Sequence, residues 1–279
     1  MTGAQVAVFD DQRCALGEGP IWHPERKALF WFDILGKTLF AKGETRQAWQ
    51  FDEYVSAAGW VDHDTLLMAS ATGLWRFDIT TGARDLVVGL EADNAVTRSN
   101  DGRADPQGGF WIGTMGVGAE PHAGAIYRFY RGELRQLFDR ITISNAICFA
   151  ADGRTAYFTD TFSQRIQRVA LDADGWPAGA PEAFIDLRAD GLNPDGCVVD
   201  AGGNLWNAQW GVGRVACYGA DGAFLRSIAL PASQTTCPAF DGTRMFVTSA
   251  AQGADERQGG MTFEIEAGVM GQREHQVIL

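Results

Sequence analysis

A chain of 279 residues that is 46% apolar and 11% aromatic can bury a large core, and all-β folds of this size occur as one unit. Its formal charge of −12, with no basic cluster, excludes nonspecific binding to the phosphate backbone, so no nucleic-acid partner is expected. No apolar run approaches a membrane span and the first residues carry no basic leader pattern, which predicts a cytoplasmic protein without a membrane partner.

Taken in order, the chain shows almost no helical patterning. Short apolar strands recur instead: Ala28–Asp33, Thr65–Ala69, Gly109–Gly113, Thr155–Asp160, Asn204–Ala208 and Arg244–Thr248. Each is followed by a second strand, such as Lys37-Thr-Leu-Phe-Ala or Gly73-Leu-Trp-Arg-Phe-Asp. A repeat of roughly 40 to 50 residues with several strands per unit is the mark of a β-propeller. The length accommodates an all-β, six-bladed propeller with four antiparallel strands per blade, in one domain over residues 1–279. Thr81-Gly82, Asp101-Gly102, Asp152-Gly153, Asp174-Gly175 and Asp221-Gly222 supply turns. The strand-like ends Val6–Phe9 and Gln276–Leu279 are candidates to pair and close the ring, removing its open edges.

Four polar segments fit a plain scaffold poorly, and in a propeller such segments can converge at one mouth of the central channel. They are expected just ahead of, or between, the inner strands. In Leu16-Gly-Glu18-Gly-Pro-Ile-Trp22 an acid stands between glycines, a setting that lets backbone approach a ligand. Arg98-Ser-Asn100-Asp-Gly places a guanidinium and an amide two positions apart, on one side if extended. Asn145 lies inside the apolar run Ile141–Phe149, where a buried amide needs partners. Asp195 in Asn-Pro-Asp-Gly-Cys-Val-Val enters the core with a strand, at a cost of several kcal/mol unless it is paired or metal-bound.

Glu18, Asn145 and Asp195 together offer two carboxylates and an amide oxygen, a hard donor set for Ca²⁺, Mg²⁺ or Mn²⁺. The histidines His23, His63, His122 and His275 share no ligand spacing and read as surface residues. Cys14, Cys148, Cys197, Cys217 and Cys237 are odd in number and widely spaced. That opposes a disulfide framework or structural zinc and suits a reducing compartment. No G-x-S-x-G marks a serine nucleophile.

In this order and spacing, Leu-Gly-Glu18-Gly-Pro-Ile-Trp, Arg98-Ser-Asn100-Asp-Gly with Gly-Thr-Met115, Ile-Ser-Asn145 and Pro-Asp195-Gly resemble the regucalcin/gluconolactonase (senescence marker protein) family of sugar lactonases. The resemblance runs along essentially the whole chain and is specific only for the four motifs jointly. It implies a six-bladed propeller with one divalent metal in the central channel. Glu18, Asn145 and Asp195 would then be the metal ligands, Arg98 and Asn100 substrate-binding residues. Ca²⁺ is the first expectation, with Mg²⁺, Mn²⁺ or Zn²⁺ as alternatives. A regucalcin-type pocket carries a substrate-contacting glutamate soon after Gly-Thr-Met; here the acid is displaced to Glu120, which resembles bacterial members acting on aldonolactones. Glu120 is the candidate for that role.

The expected chemistry is hydrolysis of a sugar lactone, with Asp195 both ligand and catalytic base and a monomer as the working unit. An organophosphate or aryl ester hydrolase on the same propeller, or a calcium-binding protein without catalysis, are the alternatives.

Overall fold

Runs of β-branched and aromatic residues broken every few positions by glycine or Asx-Gly pairs cannot sustain helices, and they fold as antiparallel meanders. The computed structural model describes residues 5–253 and 256–279. It contains six sheets of four antiparallel strands. The innermost strands are Gly17–His23, Val55–Asp62, Thr97–Ala104, Ser144–Phe149, Asn193–Val199 and Thr235–Asp241, in blades 1 to 6. Each touches the next in cyclic order, and the last returns to the first, so the blades form a closed propeller.

The apolar anchors legible in the sequence are the second strands of the blades: Ala28–Asp33, Thr65–Ser70, Phe110–Gly116, Thr155–Asp160, Leu205–Trp210 and Arg244–Ser249. Six apolar clusters fill the six interfaces between neighbouring blades, for example Phe30, Phe32, Trp60, Leu66 and Met68 between blades 1 and 2. At roughly 1.5–3 kcal/mol for each large apolar side chain buried, these interfaces supply most of what holds the ring. The outer strands are largely exposed, as in Arg46–Gln50 and Phe224–Ala229.

Several expectations need correction. The polar segments do not flank the inner strands; they are the inner strands, and even Thr97–Ala104, almost wholly polar, is buried along its length. Asp101-Gly102 accordingly lies inside that strand, whereas the other four Asx/Thr-Gly pairs are turns with glycine at positive φ. The ring is closed by Val6–Asp10 joining Thr262–Glu266 as the outer strand of blade 6, with Val6 opposite Ile265. The last residues instead cross the far end of the channel. There the Val277 amide donates to the Trp60 carbonyl and the Ile278 amide to the Gly108 carbonyl.

Candidate metal and substrate site

Each inner strand loses register with its second strand near the same end, at Glu18/Ile21, Val55/Ala57, Ser99/Gly102, Asn145/Cys148, Pro194/Cys197 and Thr235/Pro238, and blade 2 does so again at Trp60/Asp62. Such bulges re-aim side chains that a regular strand would alternate between faces. Glu18, Asn100, Asn145 and Asp195 lie at these bulges, and Arg98 just ahead of one. Gly19 has φ +53°, and a Cβ there would stand 2.2 Å from the Ser56 carbonyl oxygen. The glycine beside Glu18 is therefore required by the close approach of blade 2, rather than by a ligand. Ala146, next to Asn145, also adopts positive φ.

The bulges gather Glu18, Arg98, Asn100, Asn145 and Asp195 on the floor of one cavity of about 580 Å³ at one mouth of the channel. Leu16, Met115, Ile143 and Trp210 contribute apolar wall, and Leu35, Val117 and Phe162 stand exposed at its rim. Glu120 is not brought in. It is exposed, its carboxylate accepts the Gly118 amide at 3.0 Å, and Val117, Gly118 and Ala119 line the cavity in its place. The short Gly-Val-Gly-Ala turn folds the acid back on its own backbone.

The floor is a hydrogen-bonded chain with one direction. Arg98 Nη1 donates to Asn100 Oδ1 at 2.8 Å and to the Ser99 carbonyl at 2.9 Å. Asn100 Nδ2 donates to the Ser144 carbonyl at 2.8 Å and to Asn145 Oδ1 at 3.2 Å. Asn145 Nδ2 donates to Thr161 Oγ1 at 2.9 Å, and the Thr161 hydroxyl donates to the Pro194 carbonyl at 2.8 Å. Arginine can only donate and a carbonyl can only accept, so both ends fix the orientation of the two amides between them.

The two carboxylates are the anomaly. Glu18 and Asp195 are buried close enough to share a proton, yet among the described residues neither makes a salt bridge. Glu18 accepts the Gly19 amide at 2.9 Å, while Asp195 Oδ1 has no partner. Burial, then the nearby Asp101, pushes Glu18 up to about 8. Burial and the Glu18 charge raise Asp195 well above the usual carboxylate range. Arg98 is lowered by burial to about 10, so it remains a cation at neutral pH.

A hard divalent cation fits this set. It would satisfy the orphaned Asp195 oxygen, relieve the repulsion between two desolvated acids, and take Asn145 Oδ1 as a third donor. No group of three or more His, Cys, Asp or Glu arranged for a metal occurs among the described residues.

Sequence reasoning missed three features. Asp101, pushed by burial to about 6, accepts the Ile147 amide at 2.7 Å behind the floor. Thr161 was hidden in a turn after the Thr155–Asp160 strand, and only the capping Asp160 signalled a fixed turn there. His23, expected at the surface, is fully buried between Phe30 and Trp60.

A family model described as the SMP-30/gluconolactonase/LRE-like region matches residues 16–251. The chain belongs to that family. Among family relatives, an L-arabinolactonase of Azospirillum brasilense is 37% identical, over 90% of this chain and 86% of its own. A pentonolactonase of Haloferax volcanii is 31% identical, over 89% and 86%. The crystal structure of a calcium-binding protein, regucalcin, from Agrobacterium tumefaciens superposes with a TM-score of 0.94 at 40% identity, covering 100% of this chain and 98% of the other. All five floor residues lie within the matched region.

Proposed function

We propose that this enzyme is a divalent-metal-dependent sugar lactonase that opens an aldonolactone to its aldonic acid. Hydrolysis of a cyclic ester accords with its family and with relatives named as lactonases of arabinose and of pentoses. The observation that carries the metal dependence is the pair of buried, unpaired acids on an open cavity floor. A cation held by Glu18, Asn145 and Asp195 would supply Lewis-acid polarisation of the lactone carbonyl. Ca²⁺ suits the all-oxygen set best, and the regucalcin neighbour is described as calcium-binding.

The remaining chemistry belongs to the chain. Asp195, through the carboxylate oxygen not given to the cation, takes the proton of the attacking water. As the ring C–O bond breaks, the same proton is returned to the departing alkoxide, leaving a hydroxy acid. Arg98, whose Nε lacks a partner, and Asn100 hydrogen-bond the sugar hydroxyls and orient the ring. The small Val117-Gly-Ala stretch lines the cavity in place of an acid.

The test is acid release from γ- and δ-lactones of several pentoses and hexoses, using chelator-stripped protein with single metals restored. Metal-restored hydrolysis of sugar lactones is expected. Tight Ca²⁺ binding without hydrolysis of any lactone would overturn the assignment.

A further inference from the structure

Asn145 Oδ1 is turned to the cavity floor from two sides: Asn100 Nδ2 donates to it at 3.2 Å, and Thr161 accepts from the Asn145 NH₂ at 2.9 Å. We infer that Thr161 is a positioning residue that sets this orientation, and with it the affinity for a cation. The inference rests on the metal site proposed above.

Thr161 sits in a single 3₁₀ turn, Thr161–Ser163, at the end of the second strand of blade 4. That turn is held from several sides. The Asp160 carboxylate accepts the amides of Thr142, Ile143 and Phe162, and the Thr161 amide donates to the Ile143 carbonyl at 2.9 Å. Gln164 reaches across to Asn193 Oδ1 in blade 5 at 3.1 Å.

A hydroxyl has one proton. Thr161 spends it on the Pro194 carbonyl, which can only accept, so its oxygen is left to accept from Asn145. The Asn145 NH₂ must therefore face Thr161, and Oδ1 must face Asn100 and the cavity floor. Pro194 immediately precedes Asp195, so one hydroxyl links the strand bearing one oxygen donor to the strand bearing another. Without it, the amide loses the partner that fixes its blade 5 side, only the longer bond from Asn100 holds the oxygen inward, and rotation that brings NH₂ toward a cation becomes accessible. Losing a group that orients a ligand in this manner typically costs 10- to 100-fold in metal affinity.

The experiment is calorimetric titration of Ca²⁺ and Mn²⁺ into chelator-stripped full-length wild type, Thr161→Val, Thr161→Ala, Thr161→Ser and Asn145→Ala, with melting temperatures recorded with and without metal. Expected is a Kd weakened about 10- to 100-fold in Thr161→Val and Thr161→Ala, and close to wild type in Thr161→Ser. The metal-free melting temperature should fall little, while the increment added by metal shrinks. A purely structural role would lower both melting temperatures together and leave Kd unchanged, and that result overturns the inference. If wild type and Asn145→Ala bind equally, or neither binds, the metal site itself is wrong. If Asn145→Ala is weakened and both hydroxyl-free variants are not, only the role of Thr161 falls. Should Thr161→Val fail to fold, Thr161→Ala, which adds no bulk, decides.

Discussion

Two clusters of buried charge lie on the channel of this propeller, and they are built on opposite terms. At the open mouth, the acids Glu18 and Asp195 stand together with one Asp195 oxygen unpartnered and, among the described residues, no salt bridge. At the far end, Arg103 on the inner strand of blade 3 meets Glu274 of the C-terminal segment at 2.5 Å, each side chain only 9% exposed. The Trp60 indole donates to the Glu274 carbonyl, and Val277 packs in the apolar cluster between blades 2 and 3. The far cluster is balanced by the chain itself, so it is structural. The near one is left unbalanced, and that imbalance is what a divalent cation would complete.

The contrast is sharpest if an acid is neutralised at each end. Asp195→Asn should lower turnover about 1,000-fold, measured on the best sugar lactone, with the circular dichroism spectrum unchanged. It should also flatten the pH dependence of metal-free stability. Carboxylates whose folded values are raised contribute stability below their ordinary values and lose it as pH rises toward about 8, the value for Glu18. The wild-type melting temperature without metal should therefore fall between pH 5 and about 8, and that of Asp195→Asn less so. A steeper fall in the variant would break the comparison.

Glu274→Gln should do the reverse. Leaving Arg103 buried and unpaired costs about 3 kcal/mol, visible as a lower midpoint in urea, while turnover stays near wild type. Loss of activity with stability intact would show that the two ends had been assigned the wrong way round.

A milder version lies in the wall between blades 1 and 2. Neutral His23 is satisfied at both ring nitrogens: Nδ1 accepts the Arg26 amide and Nε2 donates to the Asp62 carbonyl at 3.1 Å. Burial lowers it to about 4, so its contribution is present above about 6.5 and lost as pH falls through about 4. Denaturation midpoints across that window should lose about 2 kcal/mol in wild type, and markedly less in His23→Gln.

Much of this was legible in the sequence, and what was not has physical reasons. The second strands announce themselves because both of their faces pack against apolar neighbours, as in Ala28-Leu-Phe-Trp-Phe-Asp33. Thr-Arg-Ser-Asn-Asp-Gly-Arg-Ala104 has the composition of a loop, and only the blades around it make it a buried strand. Glu18, Asn145 and Asp195 stood out as polar residues among glycine and apolar neighbours. Thr161 did not, because a threonine in a turn is ordinary until its two hydrogen-bond partners are known. Arg103 with Glu274, and Val6–Asp10 with Thr262–Glu266, are pairings across most of the chain that no local pattern encodes.

That last pairing has a temporal consequence. The strand that seals blade 6 is made long before its partner, so in a nascent chain its edge stays unmatched until Thr262–Glu266 exists. The proposed cation donors come from blades 1, 4 and 5, which the ring brings to one mouth of the channel. Cation uptake at the proposed site would then be a clock for the closing of the ring: the ion would report when Val6–Asp10 has met Thr262–Glu266.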